Sequence, residues 1–161
     1  MKIIYKKGNV LKCEEDVLIH GCNAQGKMGS GIALGIKREF SEAFQAYQRA
    51  HLTDGLKLGT VVWATSRGKL IGNAITQQFY GREPGKRYVS YDAVRQIMRY
   101  ISLIRTTGGM DPKWGDKVAM PKIGAGLAQG DWKTIAEIIE EHSTDFQPVV
   151  YEWDQDERGG K

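Results

Sequence analysis

Short β-branched runs alternate with helical apolar patterns along almost the whole chain, and this alternation most limits how the chain can fold. Strands that alternate with amphipathic helices are typical of a layered α/β domain. The runs that predict strands are residues 2–5, 17–20, 60–64, 70–75, 117–120 and 149–151. A turn at 66–69 separates the third run from the fourth, so these two are expected to form an antiparallel hairpin in a mixed sheet.

Apolar residues recur at helical spacing in two segments, which predicts two helices packed on the sheet. Their inward positions are Val94, Ile97, Met98 and Ile101 in the first, and Ile135, Ile138, Ile139 and His142 in the second. A third helix is predicted to begin near Ser30, although Gly31 and Gly35 lower its helix propensity. Its expected inward residues are Ile32, Ala33, Ile36 and Phe40.

Length and charge predict one domain at residues 1–153, followed by a polar tail at 154–161. The 23 Lys and Arg residues exceed the 19 Asp and Glu residues, giving a net charge of +4. This excess favours anionic ligands in general, but the basic residues are scattered rather than aligned, so no nucleic-acid partner is predicted. The densest basic group is Arg82, Lys86 and Arg87, near Tyr80 and Tyr88, and it is expected to form a loop.

The cysteines and apolar runs predict a reduced, soluble protein. Cys13 and Cys22 form no CxxC pair, and no histidine stands at ligand spacing, so neither a disulfide framework nor a metal site is predicted. No apolar stretch has the length of a signal peptide or a membrane span. We therefore expect a cytoplasmic monomer that has no membrane partner.

A glycine-rich segment follows the second predicted strand and continues into the third predicted helix. It reads GCNAQGKMGSGIALG over residues 21–35. Glycines let the backbone approach a ligand closely, and N–H groups at a helix start, with the helix dipole behind them, favour a phosphate. The alternative is a glycine-rich loop that only turns the chain.

Two common phosphate motifs each fail in this segment by one residue. Residues 21–27 match GxxxxGK, but Met28 stands where a P-loop needs Ser or Thr to hold magnesium. The dinucleotide fingerprint GxGxxG fits Gly29 and Gly31, but Leu34 stands in place of the third glycine, and Gly35 comes one residue later. Neither motif therefore accounts for the segment.

A second glycine-rich segment, PKIGAGLAQGD at residues 121–131, follows the fifth predicted strand and again precedes a helix. Two such loops at neighbouring strand ends can hold a diphosphate from both sides. The sequence therefore predicts that a diphosphate-linked nucleotide binds at the carboxyl ends of the strands.

Four segments, in this order, resemble the macrodomain family, in particular the branch of phage and yeast ADP-ribose 1″-phosphate phosphatases and terminal ADP-ribose glycohydrolases. The segments are KGNVL at 7–11, LIHGCNAQGKMGSGIA at 18–33, NAITQ at 73–77 and MPKIGAGLAQGDW at 120–132. The resemblance extends over nearly the whole chain. It implies a three-layer α/β/α fold with a mixed central sheet that binds ADP-ribose or a derivative across the strand ends.

The resemblance also implies a set of ligand-binding residues. Asn9 and Val10 would lie near the adenine, and Asn23 would face the distal ribose, whose hydroxyls suit an amide. The alternative for Asn23 is an asparagine that only caps or turns the chain. The diphosphate would lie between two sets of residues, which are Gly29, Ser30, Gly31 and Ile32 in the first loop and Gly124, Ala125, Gly126 and Leu127 in the second.

Two side chains are candidates for catalysis, because the phosphatase branch carries a histidine and an aspartate at matching places. His20 ends the second predicted strand, and Asp131 precedes the last predicted helix. Each residue also has a structural interpretation. Asp131 can be a helix N-cap, and His20 can be a packed histidine with a hydrogen-bonded ring.

The chain departs from the glycohydrolases of this branch at two positions. Those proteins have a lysine where this chain has Gln77 and an aspartate where it has Ala128, so chemistry through a lysine adduct is not expected. The leading hypothesis is a metal-independent phosphatase that acts on ADP-ribose 1″-phosphate without a cofactor. The alternatives are a module that binds ADP-ribose without turning it over, and a hydrolase of ester-linked or acylated ADP-ribose.

Overall fold

The strands of the chain form one sheet in a computed structural model that describes residues 1–153. The predicted polar tail at 154–161 lies outside the described residues. The strands are β1 (Ile4–Lys7), β2 (Val17–Asn23), β3 (Val61–Ser66), β4 (Lys69–Gln77), β5 (Lys117–Met120) and β6 (Gln147–Glu152). All six predicted strands are therefore present, with ends that differ by up to three residues.

Helices fill most of the connections between the strands. They are α1 (Gly31–Glu39), α2 (Ser41–Thr53), α3 (Tyr91–Thr107) and α4 (Trp132–His142), with short 3-10 helices at Val10–Lys12 and Pro112–Trp114. The three predicted helices correspond to α1, α3 and α4. Within the described residues, no helix is both long enough and apolar enough to cross a bilayer.

The sheet is mixed, with the strand order β1-β6-β5-β2-β4-β3. Each pair of neighbours is parallel except β3 and β4, which form the predicted antiparallel hairpin. Gly68 has a φ of +78° in the turn between these two strands, a conformation that glycine adopts without strain. Because β1, β6, β5, β2 and β4 point the same way, their carboxyl ends share one edge, called here the carboxyl edge.

Helices cover both faces of the sheet, which gives three layers. Successive residues of β2 show this, because Leu18 packs on the α1 and α2 side whereas Val17 and Ile19 pack on the α3 and α4 side, and all three are fully buried. A parallel strand buried on both faces reads as a continuous apolar run. Burying each of these side chains contributes roughly 1.5–3 kcal/mol to folding.

Helix α2 has no counterpart among the predicted elements. Its buried residues are only Ala43 and Tyr47, so its apolar stripe is narrow and its sequence lacks a strong helical pattern. Phe40, expected to be an inward residue of the preceding helix, is instead the buried junction between α1 and α2. Packing against β3 and β4 therefore stabilises this segment as a helix more than its own apolar periodicity does.

Candidate functional site

The carboxyl edge collects the segments that the sequence singles out. Asn9 follows β1, the first glycine-rich loop (residues 24–30) follows β2, and the second glycine-rich loop (residues 121–131) follows β5. Since β5 and β2 are neighbours in the sheet, the two loops leave it side by side. Ligands of open α/β sheets bind at this kind of edge.

The first loop ends at a helix start that lacks a side-chain cap. Ser30 is the N-cap of α1, and its hydroxyl makes no capping hydrogen bond, whereas Ser90 caps α3 by accepting a bond from the N–H of Ala93. The first N–H groups of α1 have no partner within the helix and are left for solvent or a ligand. Together with the helix dipole, they form an electropositive end suited to an anion.

The two loops face each other across Gly31. This residue has a φ of +60°, and a Cβ built on it would lie 3.8 Å from Cδ1 of Leu127 in the second loop. A Cβ on Gly29 or on Gly126 would meet nothing within 4 Å, so both residues border open space. Each loop therefore has one glycine whose backbone borders open space.

Gly124 and Gly130 of the second loop pack closely against Val89 and do not border open space. A Cβ on Gly124 would lie 2.6 Å from Val89, and one on Gly130 would lie 2.5 Å from the same side chain. The N–H of Gly130 donates to the carbonyl of Gly124 at 2.7 Å. These two glycines are therefore required for a tight loop, and the direct contact predicted between Gly124 and a phosphate stays a prediction.

Asn23 uses its amide to shape the first loop. Its Oδ1 accepts a hydrogen bond from the N–H of Gln25 at 2.9 Å and from the hydroxyl of Tyr47 at 3.0 Å. Its Nδ2 donates to the carbonyl of Lys27 at 2.9 Å. The structure thus gives Asn23 the turn-forming role of the alternative interpretation. Its contact with a ribose stays a prediction.

Asn9 and Val10 lie beside helix α1. Asn9 accepts a hydrogen bond from the N–H of Leu11 at 3.0 Å and caps the short 3-10 helix, while Val10 is buried. A Cβ on Gly35 of α1 would lie only 2.5 Å from Cδ1 of Leu11. Gly35 is therefore a contact glycine that lets the segment after β1 pack on α1.

His20 lies in the core, under helix α2. Its side chain is 1% exposed, and its Nε2 is 2.7 Å from Oδ1 of Asn73. The amide nitrogen of Asn73 donates to the carbonyls of Ala43 and Val62, so its oxygen accepts and Nε2 of His20 carries the proton. The packed-histidine interpretation describes this geometry. A role for His20 in catalysis stays a prediction.

Burial lowers the pKa of His20 to about 4, despite the opposing effect of the hydrogen bond to Asn73. An unfolded chain takes up this proton below about pH 6.5, so stability should fall as the pH drops from about 6.5 to 4, by about 3 kcal/mol from this group. Urea unfolding at pH 7, 5 and 4 measures the fall. The free energy of unfolding of a His20→Gln variant should fall less over the same pH range. Equal falls in both proteins would show that His20 is not the source of the pH dependence.

Asp131 is exposed and caps α4. Its Oδ2 accepts hydrogen bonds from the hydroxyl of Thr134 at 2.7 Å and from the N–H of Thr134 at 3.2 Å. The hydrogen bond from the Thr134 hydroxyl is the main cause that lowers the pKa of Asp131 below its ordinary value. The carboxylate is therefore ionised at neutral pH. Because α4 and α2 pack on opposite faces of the sheet, the structure does not place Asp131 beside His20.

The segment after β4 (residues 78–90) folds against the second loop, which the sequence did not indicate. The N–H of Tyr88 donates to the carbonyl of Ala128 at 2.8 Å. The guanidinium of Arg87 stacks 4.1 Å from the ring of Tyr91, and the hydroxyl of Tyr91 accepts a bond from the N–H of Asp131. Arg87 of the basic group noted in the sequence therefore packs on the residue that bonds to Asp131. Tyr91 and Asp131 lie about forty residues apart, and local patterns do not reveal such a contact.

Thr76 is a second residue at the carboxyl edge that sequence reasoning missed. It lies in β4, one residue before Gln77, and is 1% exposed. Its hydroxyl has no hydrogen-bond partner among the described residues. A threonine inside a strand is ordinary, so the only signal in the sequence was its position within the segment NAITQ at 73–77.

A metal ion has no evident place among residues 1–153. No group of three or more His, Cys, Asp or Glu side chains within that range could hold one. Cys13 and Cys22 are both buried as free thiols, and burial raises the pKa of each. The site consists instead of backbone loops with a small number of polar side chains.

Comparison with known proteins identifies one family. The family model of the Macro domain matches residues 19–139 of the chain. This interval includes both glycine-rich loops, most of β2 and most of α4.

Individual relatives extend over nearly the whole chain. The bovine ADP-ribose glycohydrolase OARD1 is 28% identical and is aligned over 93% of this chain and 91% of its own. The ADP-ribose 1″-phosphate phosphatase of Saccharomyces cerevisiae is 27% identical over 93% of this chain and 98% of its own. Among solved structures, the macrodomain of Mycobacterium tuberculosis DarG has a TM-score of 0.77 at 23% identity, covering 92% of this chain and 96% of that one. At that identity the similarity is one of fold.

Proposed function

Because this chain belongs to the macrodomain family, we propose that it binds ADP-ribose at the carboxyl edge and hydrolyses ADP-ribose 1″-phosphate to ADP-ribose and phosphate. The observation that carries the binding half is the start of α1, which has no side-chain cap and adjoins the open space at Gly29. The yeast relative named as an ADP-ribose 1″-phosphate phosphatase supports the choice of substrate.

The two loops supply what a diphosphate needs. The uncapped start of α1 offers N–H groups and the positive end of the helix dipole. On the other side, Gly126 leaves the backbone of the second loop accessible. Because backbone groups make the contacts, the protein loses little side-chain flexibility on binding. Ordering the flexible ligand still offsets much of the contact energy, so we expect micromolar affinity.

Asp131 is the proposed general base. Its carboxylate is exposed and ionised, so it can accept a proton from the water that attacks phosphorus. As the P–O bond breaks, the leaving ribose oxygen takes a proton from solvent, and the proton held by Asp131 returns to solvent. Arg87 stacks on Tyr91 next to Asp131, and its positive charge is available to the terminal phosphate of the substrate. We assign His20 a positioning role, because its hydrogen bond to Asn73 joins β2 to β4 beside the site.

Phosphate release from ADP-ribose 1″-phosphate tests the proposal directly. The wild-type protein should release phosphate with ADP-ribose as the only nucleotide product. Activity should be unchanged by EDTA and need no added magnesium, since the chemistry proposed here uses a carboxylate and N–H groups. Complete loss with EDTA, restored by magnesium, would contradict this mechanism and point to a metal-dependent one.

A second candidate is a module that binds ADP-ribose without turning it over. The burial of His20 favours it, because a ring that is 1% exposed is not placed to touch a substrate. Calorimetry with ADP-ribose, run beside the phosphate assay, separates the two functions. Binding of ADP-ribose without phosphate release supports the module. Incubating the protein with ester-linked ADP-ribose tests whether it hydrolyses that bond instead.

A further inference from the structure

Helix α2 contacts the start of the first glycine-rich loop through a fully buried tyrosine. The hydroxyl of Tyr47 lies 2.5 Å from the carbonyl oxygen of Asn23 and 3.0 Å from its Oδ1, so two acceptors of one residue share the proton. Burial raises the pKa of Tyr47 above its ordinary value, and the hydroxyl therefore stays a donor. The residue at which β2 ends is thus fixed by a hydrogen bond from α2.

Two further side chains of α2 contact this loop at Gly26. The amide nitrogen of Gln48 donates to the carbonyl of Gly26. A Cβ built on Gly26 would lie 2.5 Å from Cδ2 of His51, so the imidazole ring packs directly on this glycine. These two positions and Tyr47 lie within about 100° of one another around the helix axis. One side of α2 therefore contacts the loop at both Asn23 and Gly26.

Asn23 extends the effect of these contacts along the loop. Its Oδ1 accepts a hydrogen bond from the N–H of Gln25, and its Nδ2 donates to the carbonyl of Lys27. The side chain thus bridges both ends of residues 23–27. Because the Tyr47 hydroxyl donates to the same Oδ1, it fixes the orientation of the amide that makes this bridge.

The segment held by α2 ends where the backbone proposed to contact the diphosphate begins. Met28 is 2% exposed and packs in the same core cluster as Tyr47. The next residue, Gly29, borders open space, and Ser30 begins α1 without a side-chain cap. The direction in which the chain enters α1 therefore depends on residues 23–28, which α2 holds in place.

We infer that Tyr47 is a positioning residue for the diphosphate, because by fixing Asn23 it keeps the first loop in the conformation that presents the start of α1 to the ligand. This inference rests on the proposed binding of ADP-ribose. Without the hydroxyl, the two oxygens of Asn23 lose a donor, and the loop opens locally more often. Ligand affinity then falls in proportion to the fraction of molecules that keep the binding conformation.

Calorimetry with ADP-ribose tests the inference on a Tyr47→Phe protein, which keeps the buried ring and lacks only the hydroxyl. ADP-ribose should bind about tenfold more weakly, the scale of one lost buried hydrogen bond. In phosphate assays, KM should rise by a similar factor while kcat stays near the wild-type value, since the loop holds substrate and transition state alike. A residue needed only for stability would lower Tm and change neither affinity nor KM well below Tm.

Hydrogen exchange in the free protein tests the hold on the loop without any ligand. The N–H of Gln25, bonded to Oδ1 of Asn23, should exchange about tenfold faster in Tyr47→Phe than in the wild type. The N–H of Gly115, bonded to the carbonyl of Pro112 in a remote turn, should exchange at its wild-type rate. Equal rates for Gln25 in both proteins would show that the hydroxyl does not fix the loop.

Two further variants complete the experiment. Gln48→Met removes the other hydrogen bond from α2 and should weaken ADP-ribose binding severalfold. Tyr100→Phe is the matched control, because the hydroxyl of Tyr100 accepts a bond from the indole N–H of Trp63 at 3.0 Å on the opposite face of the sheet. It should lower Tm without changing the affinity.

The outcomes separate this inference from the proposed function. Unchanged ADP-ribose affinity in a folded Tyr47→Phe protein, with a wild-type protein that binds, would overturn the role of Tyr47 alone. An equal loss of affinity in Tyr100→Phe would also overturn it, because the effect would then follow from stability. A wild-type protein that binds no ADP-ribose would overturn the proposed function and this inference together.

Discussion

Replacing Gly31 by valine is expected to weaken ADP-ribose binding by about a hundredfold. At a φ of +60°, a β-branched residue is strained, so the start of α1 must shift to accept it. The added side chain would also contact Leu127 and stand at the start of α1, where the diphosphate is proposed to bind. Calorimetry gives the affinity, and circular dichroism shows whether the fold persists.

Gly108→Val is the matched control for that experiment. Gly108 also has a positive φ, +81°, and ends α3 with nothing within 4 Å of a built Cβ. This variant should lose stability from the same backbone strain but bind ADP-ribose as the wild type does. If the Gly31→Val protein folds and binds normally, the diphosphate does not lie between the two loops.

Asp131→Asn should lower phosphate release by about a hundredfold, the scale typical of a lost acid or base group. Asparagine and aspartate are similarly effective N-caps, so the substitution removes the negative charge while α4 keeps its cap. ADP-ribose affinity and Tm should therefore stay near the wild-type values. Steady-state phosphate assays, calorimetry and thermal unfolding together separate the chemical role from the structural one.

Asp111→Asn provides the same substitution at another capping aspartate. Asp111 caps the short helix Pro112–Trp114 by accepting a bond from the N–H of Lys113. Phosphate release should be unaffected by this change. Full activity in a folded Asp131→Asn protein would leave Asp131 as a cap only, and the phosphatase chemistry would then have to come from His20 or from other groups at the site.

The sequence predicted those elements that have strong periodicity. Helices α3 and α4 bury regular apolar stripes, and the turn at Gly68 marks the hairpin, so local signals were sufficient there. Helix α2 escaped prediction because only Ala43 and Tyr47 are buried on its inner face. Its position follows from contacts with β3 and β4, which appear only once the sheet has formed.

The site was predictable as a region but not residue by residue. Both glycine-rich segments do reach the carboxyl edge, yet Gly35 serves contact with Leu11 and Gly124 serves contact with Val89. A glycine in the sequence does not by itself show whether the residue faces a ligand or a neighbouring side chain. The same limit applies to Thr76, whose lack of a partner is a property of the folded chain.

The pairing of β1 with β6 has a consequence for the order in which this molecule assembles. Ile4 pairs with Val149, and β1 occupies the edge of the sheet with β6 as its neighbour. During synthesis from the amino end, the first strand must wait for the last before it has a place to dock. The loops after β2 and β5 can form earlier, whereas Asn9 comes into position only at that final step. The segment proposed to contact the base thus docks after the two loops that are proposed to bind the diphosphate.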